Sequence, residues 1–228
     1  MACFLNGYPK TTKMNLLKIT TVPLALSVCL LFSSCYKHDH NNVTPTPTYN
    51  YTFDDEFDYD RYNWSFSDPA NSAYVGIANG ELNYSYHPSS YGTNTVAVQA
   101  GLNVNSDFMI QTSIISDNTM GLAFGVSNND YGFAFMIDYQ GNYSLYYEGS
   151  ATQQPQAIID WQHSSAVKTA SNAWNNLEID QIGNYWYGYI NNVQVFKVQA
   201  WAFYGSKIGF IVESGTTGYA DYLTAGWY

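Results

Sequence analysis

Residues Trp174 to Val198 read W-N-N-L-E-I-D-Q-I-G-N-Y-W-Y-G-Y-I-N-N-V-Q-V-F-K-V, and the fold turns on how they are paired. Gly183-Asn184 and Asn191-Asn192 split the stretch into three strand-length runs. Short loops of this chemistry join antiparallel strands, because Gly and Asn accept the positive φ that such turns require. With Gly183 and Asn184 in the loop, Ile182 faces Tyr185, Asp180 faces Tyr187 and Glu178 faces Tyr189. The period of two then sorts the side chains. Leu177, Ile179, Trp186 and Ile190 share one face; Glu178, Asp180, Tyr187 and Tyr189 share the other. The second turn is expected to add Val193 and Val195 to the first face, and Gln194 and Phe196 to the second. One face can be core. The other mixes carboxylates, an amide and aromatic rings.

The rest of the composition agrees with an ordered β domain. Aromatic residues make up 18% of the 228 residues, with 22 Tyr and 6 Trp, and charged residues only 11%. Apolar content of this order suffices for a packed core. After Ser34 there are 5 Lys or Arg against 18 Asp or Glu, a formal charge of 5 − 18 = −13. Phosphate recognition needs a basic face, so nucleic acid is excluded as a partner. A neutral ligand or a divalent cation suits the balance better.

The chain divides into three parts. Residues 1–34 read as a signal peptide whose true start is Met14: Lys18 supplies the positive region, Val22 to Phe32 the apolar region, and Ser33-Ser34 the small residues before cleavage. Phe32-Ser33-Ser34-Cys35 resembles a bacterial lipobox, which implies cleavage before Cys35 and lipid on its sulfur. Cys3 and Cys29 fall in the leader, so Cys35 is the mature chain's sole cysteine. Residues 35–50 form a polar, Pro/Thr-rich linker. His38 and His40 sit there on a flexible chain, and with His87 and His163 they show no metal-ligand spacing. Residues 51–228 are the folded domain.

Within that domain, strands are expected at Tyr51–Phe57, Glu81–Tyr86, Thr95–Gln99, Phe108–Ile115, Gly121–Val126, Tyr131–Asp138, Tyr143–Tyr147, Ala157–Trp161, the three runs above, Lys207–Val212 and Tyr219–Thr224. Asn79-Gly80, Tyr91-Gly92, Gln140-Gly141-Asn142 and other turn clusters separate them. No segment carries a sustained helical stripe, although Ser165 to Ala173 could supply one turn. Many short strands at this spacing imply an all-β, two-sheet antiparallel sandwich or a barrel.

Phe53-Asp54-Asp55-Glu56-Phe57 followed by Trp64 resembles the opening of concanavalin A-like lectin/glucanase domains. Asn79-Gly80-Glu81-Leu82 is similar to their N-G-x-L signature. Asn175-x-Leu177-x-Ile179 with Tyr189-Ile190-Asn191-Asn192-x-x-Val195 is similar to their late hairpin, and Tyr219-Ala220-Asp221-Tyr222-Leu223 to their closing strand. The resemblance implies a jelly-roll sandwich. In several members the first and last strands lie side by side and hold a structural calcium. Here the Asp221 side chain, with backbone oxygens near Glu56 and at Gly80, would hold it.

Two functional classes follow. Family 16 glycoside hydrolases of this fold carry E-x-D-x-E or E-x-D-x-x-E on a mid-chain strand. Glu178-Ile179-Asp180 begins such a string, but Ile182 and Gly183 stand where the final Glu belongs, and the run matches the later hairpin instead. That active site is absent. Asp138, Glu148, Glu178 and Asp180 leave an unrelated carboxylate pair open. The reading favoured is a non-catalytic carbohydrate-binding domain on an outer-membrane lipoprotein. Sugar C–H faces would stack on Tyr187 and Tyr189, and Glu178, Asp180 and Gln194 would take hydroxyls; Trp161 and His163 would add a rim. The alternatives are a hydrolase without the family-16 motif, or an accessory lipoprotein of an envelope complex.

Overall fold

A computed structural model describes residues 51–227, apart from 71, 104 and 151. The expected leader, the Cys35 anchor and the linker lie outside the described residues. The described chain is all strand and turn. Its elements are β1 (Tyr51–Asp55), β2 (Phe66–Asp68), β3 (Ala73–Ala78), β4 (Glu81–Tyr86), β5 (Thr93–Gln99), β6 (Phe108–Ser116), β7 (Met120–Val126) and β8 (Phe133–Ile137). They continue with β9 (Asn142–Tyr147), β10 (Gln156–His163), β11 (Asn175–Ile182), β12 (Tyr185–Ile190), β13 (Val193–Gln199), β14 (Lys207–Glu213) and β15 (Thr216–Trp227).

Two antiparallel sheets result. One runs β13-β12-β11-β6-β15-β4-β3-β2, with β1 also paired to β15; the other runs β10-β9-β8-β7-β14-β5. The first and last strands lie side by side, from Tyr51↔Trp227 to Asp55↔Leu223. The hairpin register matches the sequence reading, with Ile182↔Tyr185, Asp180↔Tyr187 and Glu178↔Tyr189. Its turns take the backbone that their residues permit: Gly183 has φ 59°, and Asn191 and Asn192 have φ 50° and 66°.

The core forms because the inward faces of both sheets are apolar and aromatic. Leu177, Ile179, Trp186 and Ile190 are all wholly buried. Trp186 meets Phe124 and Phe133 of the opposite sheet edge-on, at centroid distances of 5.2 and 4.7 Å, and stacks on Phe203 at 5.7 Å. Its indole N–H is not stranded, since it donates to Gln181 Oε1 at 2.9 Å. Each such side chain contributes about 1.5–3 kcal/mol by leaving water.

The opening motif has a comparable explanation. Asp55 is buried; its Oδ2 accepts the Trp64 indole N–H at 2.7 Å, and its Oδ1 accepts Phe57 N–H at 3.2 Å. The second bond holds Phe57 at φ 55°, a left-handed backbone that costs a non-glycine residue roughly 1–2 kcal/mol. The late-hairpin asparagines pin the loop before them. Asn175 Oδ1 accepts from Lys168 N and Asn191 Nδ2, its own Nδ2 donates to Lys168 O, and Asn191 Nδ2 also donates to Ala166 O. That loop holds turns and not the expected helical turn.

Two other expectations are corrected. β2 and β3 were not expected: β2 has three residues, and Gly76 interrupts the alternation of β3. The Tyr74 side chain crosses Gly76 so closely that an added Cβ would sit 2.2 Å from its hydroxyl. Phe196 does not share the outward face. A bulge between Gly188 and Tyr189 in the β12–β13 register sets Phe196 opposite Gly188, on the core side. There its ring occupies the space of a missing Cβ and meets Phe135 edge-on at 5.0 Å.

Trp64→Phe keeps the ring and strands the buried Asp55 oxygen. Urea denaturation of this variant should show a loss of about 1–3 kcal/mol; unchanged stability would mean that the Asp55–Trp64 bond holds nothing together.

Candidate functional site

The tyrosine face lies outside the sandwich. Glu178, Asp180, Tyr187 and Tyr189 are half-buried, and the register puts Gln194 beside Tyr189. The register thus puts these five on one outward face. Their environment is less open than a stacking platform needs. Lys197 Nζ lies 5.1 Å from the Tyr187 ring centroid and 4.4 Å from that of Tyr185, so an ammonium covers the rings. Glu178 accepts from Gln111 Nε2 at 3.0 Å. Asp180 Oδ1 is buried without a hydrogen-bond partner. Burial, helped by the neighbouring Glu178, lifts the Asp180 carboxyl from 3.8 to about 7. Burial likewise raises Glu178.

Trp161 does not join that set. It stands on β10, at the edge of the other sheet, as does His163. The remaining carboxylates also separate. Asp138 caps the β8–β9 turn, its Oδ1 accepting from Gln140 N and Asn142 N and its Oδ2 from Asn142 Nδ2. It borders a cavity of 430 Å³ with Asp117, Tyr139, Lys168 and Tyr219. Asp117 Oδ1 there accepts Thr217 N–H, so both acids are engaged in holding turns.

The expected metal residues do converge. β4 and β1 flank the same side of β15, with Ala220↔Leu82 and Leu223↔Asp55 bracketing Asp221. This brings Gly80, Glu56 and Asp221 to one corner. A bulge between Ala220 and Tyr222 exposes Asp221, and Thr112 Oγ1 donates to the Tyr222 carbonyl beside it. Slight burial, then Asp54, Asp221, Asp58 and Asp55, raise the Glu56 carboxyl. Calcium takes six to eight oxygens. Among the described residues no group of three or more His, Cys, Asp or Glu could hold a metal ion. The side chains present do not by themselves fit a closed calcium site.

A smaller cavity, lined by aromatic rings and carboxylates, lies on the outward face of the six-stranded sheet. Its lining includes Tyr91, Thr93, Met136, Tyr146, Glu148, Trp161 and Glu213, around 300 Å³. Alternation explains the membership: Phe135, Leu145 and Val212 point into the core, so Met136, Tyr146 and Glu213 point out. By register, Thr93 and Glu148 belong to diagonally opposite corners of this sheet. Thr93 pairs with Glu213 at the β14 end near Met120, whereas Tyr147, just before Glu148, pairs with Phe133 at the far end of β8. Even so, Thr93 Oγ1 donates to Glu148 Oε2 at 3.2 Å. The sheet must therefore curl over its own outer face, as strand twist accumulated over six strands allows.

The curl accounts for a second apolar cluster outside the sandwich: Ala123, Val126, Ala134, Met136 and Ile211 are buried there, with Tyr146 and Trp161 packed against them. Gly121 lets β7 and β8 approach closely, since an added Cβ would overlap the Phe135 carbonyl oxygen of the neighbouring strand. Ser144, opposite Met136, carries a buried hydroxyl with no hydrogen-bond partner. Desolvation raises the Glu148 carboxyl above its ordinary value, opposed by the Thr93 bond and aided by Glu213. Burial and a hydrogen bond to Glu213 push the Tyr91 hydroxyl up to about 12. Gly92 N donates to Ser214 Oγ and Ser214 N to Gly92 O, which fastens the Tyr91 loop beside Glu213. Tyr91, Tyr146 and Glu213 were not singled out from the sequence. The Tyr146-Tyr147-Glu148 run marked the strand, but nothing local marked the curl.

No protein-family model matches the chain, and no curated protein matches it. Among solved structures, it is similar to the Emp47p carbohydrate recognition domain, with TM-score 0.50 and 12% identity over 78% of this chain and 95% of that one. It is similar to the potassium-bound Emp46p carbohydrate recognition domain, with TM-score 0.50 and 10% identity over 72% and 93%. The Bacillus licheniformis beta-glucanase gives 0.48 and 10% over 77% and 97%. The fold is thus a concanavalin A-like jelly-roll sandwich.

The raised Asp180 carboxyl ties stability to pH. The folded state keeps a proton that the unfolded chain gives up near 3.8, so stability falls as pH rises from there and the loss is complete above about 7. Asp180→Asn should flatten that part of the profile, measured by chemical denaturation across the window. Parallel profiles for the two proteins would show that the carboxyl is not so perturbed.

Proposed function

We propose that this chain is a carbohydrate-binding lipoprotein of a bacterial outer membrane, anchored at Cys35, which takes sugar in the pocket of the six-stranded sheet and does not hydrolyse it. The observation that carries the reading is the convergence of Tyr91, Tyr146 and Trp161 with Glu148 and Glu213 around one 300 Å³ pocket. Aromatic faces suit the C–H surfaces of a pyranose, and carboxylates suit its hydroxyls. The volume lies at the lower limit of the roughly 300–1,000 Å³ typical of small-molecule sites, which suits a short saccharide unit. The tyrosine face of β12 is the weaker receptor, because Lys197 occupies its rings. Hydrolysis is the competing reading, favoured by Glu148 and Glu213 sharing the pocket. The lipobox-like F-S-S-C supports the anchor.

Binding to a panel of polysaccharides and oligosaccharides, followed by calorimetry, separates these readings. Trp161→Ala should cost about 2 kcal/mol, roughly thirtyfold in Kd, while the Tyr187→Ala/Tyr189→Ala pair leaves Kd unchanged. The reverse pattern would move the site to the other sheet. No reducing ends should appear from any bound glycan; their release, abolished in Glu148→Gln, would make the protein a hydrolase. Cys35→Ser should shift the protein from the membrane to the soluble fraction, and retention in the membrane would rule out the lipid anchor.

A further inference from the structure

The pocket's charge is one-sided. Of its lining residues, Glu148 and Glu213 are acidic and none is Lys, Arg or His. Glu148 has the Thr93 hydroxyl for a partner, and the Tyr91 hydroxyl bears on Glu213, so neither carboxylate is met by a cation. Glu213 raises the cost of ionising Glu148, and Asp160 and both glutamates bear on the Tyr146 hydroxyl. The aromatic walls and the wholly buried Met136 floor keep the pocket's inner end apolar, where charges are weakly screened. Beneath them Ser144 shares the outward face with a buried hydroxyl that has no partner. An anionic sugar would meet two like charges here and no counterion. A cation attached to a sugar ring would meet two carboxylates and three aromatic rings, which also attract cations through their faces.

Resting on the carbohydrate-binding reading above, we infer that the pocket selects saccharides bearing a free, protonated amino group, hexosaminyl units without the N-acetyl cap, over neutral and acidic ones. The ammonium would lie between Glu148 and Glu213, while the ring stacks on Trp161 or Tyr146. A charge-assisted hydrogen bond contributes about 1.4 kcal/mol more than a neutral one, which corresponds to tenfold in Kd.

Calorimetry of the full chain with chito-oligosaccharides that are fully deacetylated, their N-acetylated counterparts, neutral gluco-oligosaccharides and oligogalacturonate tests this at about pH 6, where an amine of the α-amino class is charged. The deacetylated series should bind about tenfold tighter than the acetylated one, weaken with added salt, and lose that preference in Glu213→Gln; oligogalacturonate should not bind. Glu148→Gln is the second variant, so that a folding defect in one leaves the comparison intact, and circular dichroism confirms each fold. If acetylated or neutral oligosaccharides bind as tightly as the deacetylated ones, with binding still lost in Trp161→Ala, the amino-sugar inference is overturned and the carbohydrate-binding reading stands. If no saccharide binds, both are overturned.

Discussion

Trp186 is the side chain through which the two sheets hold each other. It projects from the β11–β12 hairpin of the larger sheet between Phe124 and Phe133 of the smaller one, with Phe203 stacked alongside. Its position depends on strict alternation: a slip of one residue would turn Trp186 to water and Tyr187 to the core. Gln181 accepts its indole N–H, so the ring is buried without stranding a donor. Everything else about the hairpin follows from that choice of faces, including the outward placement of Glu178, Asp180, Tyr187 and Tyr189.

The smaller sheet spends its two faces differently. Its inner face is large and aromatic; its outer face is built from Gly121, Ala123, Ala134, Ser144 and Ile211, with only a few large side chains toward the corners. The Thr93–Glu148 hydrogen bond marks where side chains from opposite corners of the sheet meet. The same packing that buries Met136 and Ile211 leaves a space edged by Tyr91, Tyr146 and Trp161. Site and curvature are therefore one feature. The acids at its rim are half-removed from water, which raises Glu148 and makes the pocket a poor place for any anion.

How far the sequence could be read depended on how local the physics was. Turn residues with positive φ, such as Asn191, Asn192 and Gly80, announced their hairpins, since few other residues accept that backbone. Asp55, Trp64, Asn175 and Asn191 belonged to recognisable motifs because each makes hydrogen bonds over short separations within its own motif. Phe196 was placed on the wrong face because a bulge shifts the period by one residue, and no residue type declares a bulge at that position. β3 was missed because Gly76 and neighbouring small residues weakened the alternation. Trp161 was grouped with Tyr187 on residue type alone, although strand order puts them in different sheets.

From residues alone came the two-faced strands, the antiparallel hairpins, the all-β class and the net acidity of the chain. These rest on side-chain period, turn chemistry and net charge, which are properties of short stretches or of the whole composition. The tertiary structure alone decided which aromatic residues meet which carboxylates. Glu148 and Glu213 lie 65 residues apart in the chain, and only the order of strands and the cumulative twist of the six-stranded sheet bring them to one pocket. Twist sums over many strands, so its outcome cannot be read from any one of them.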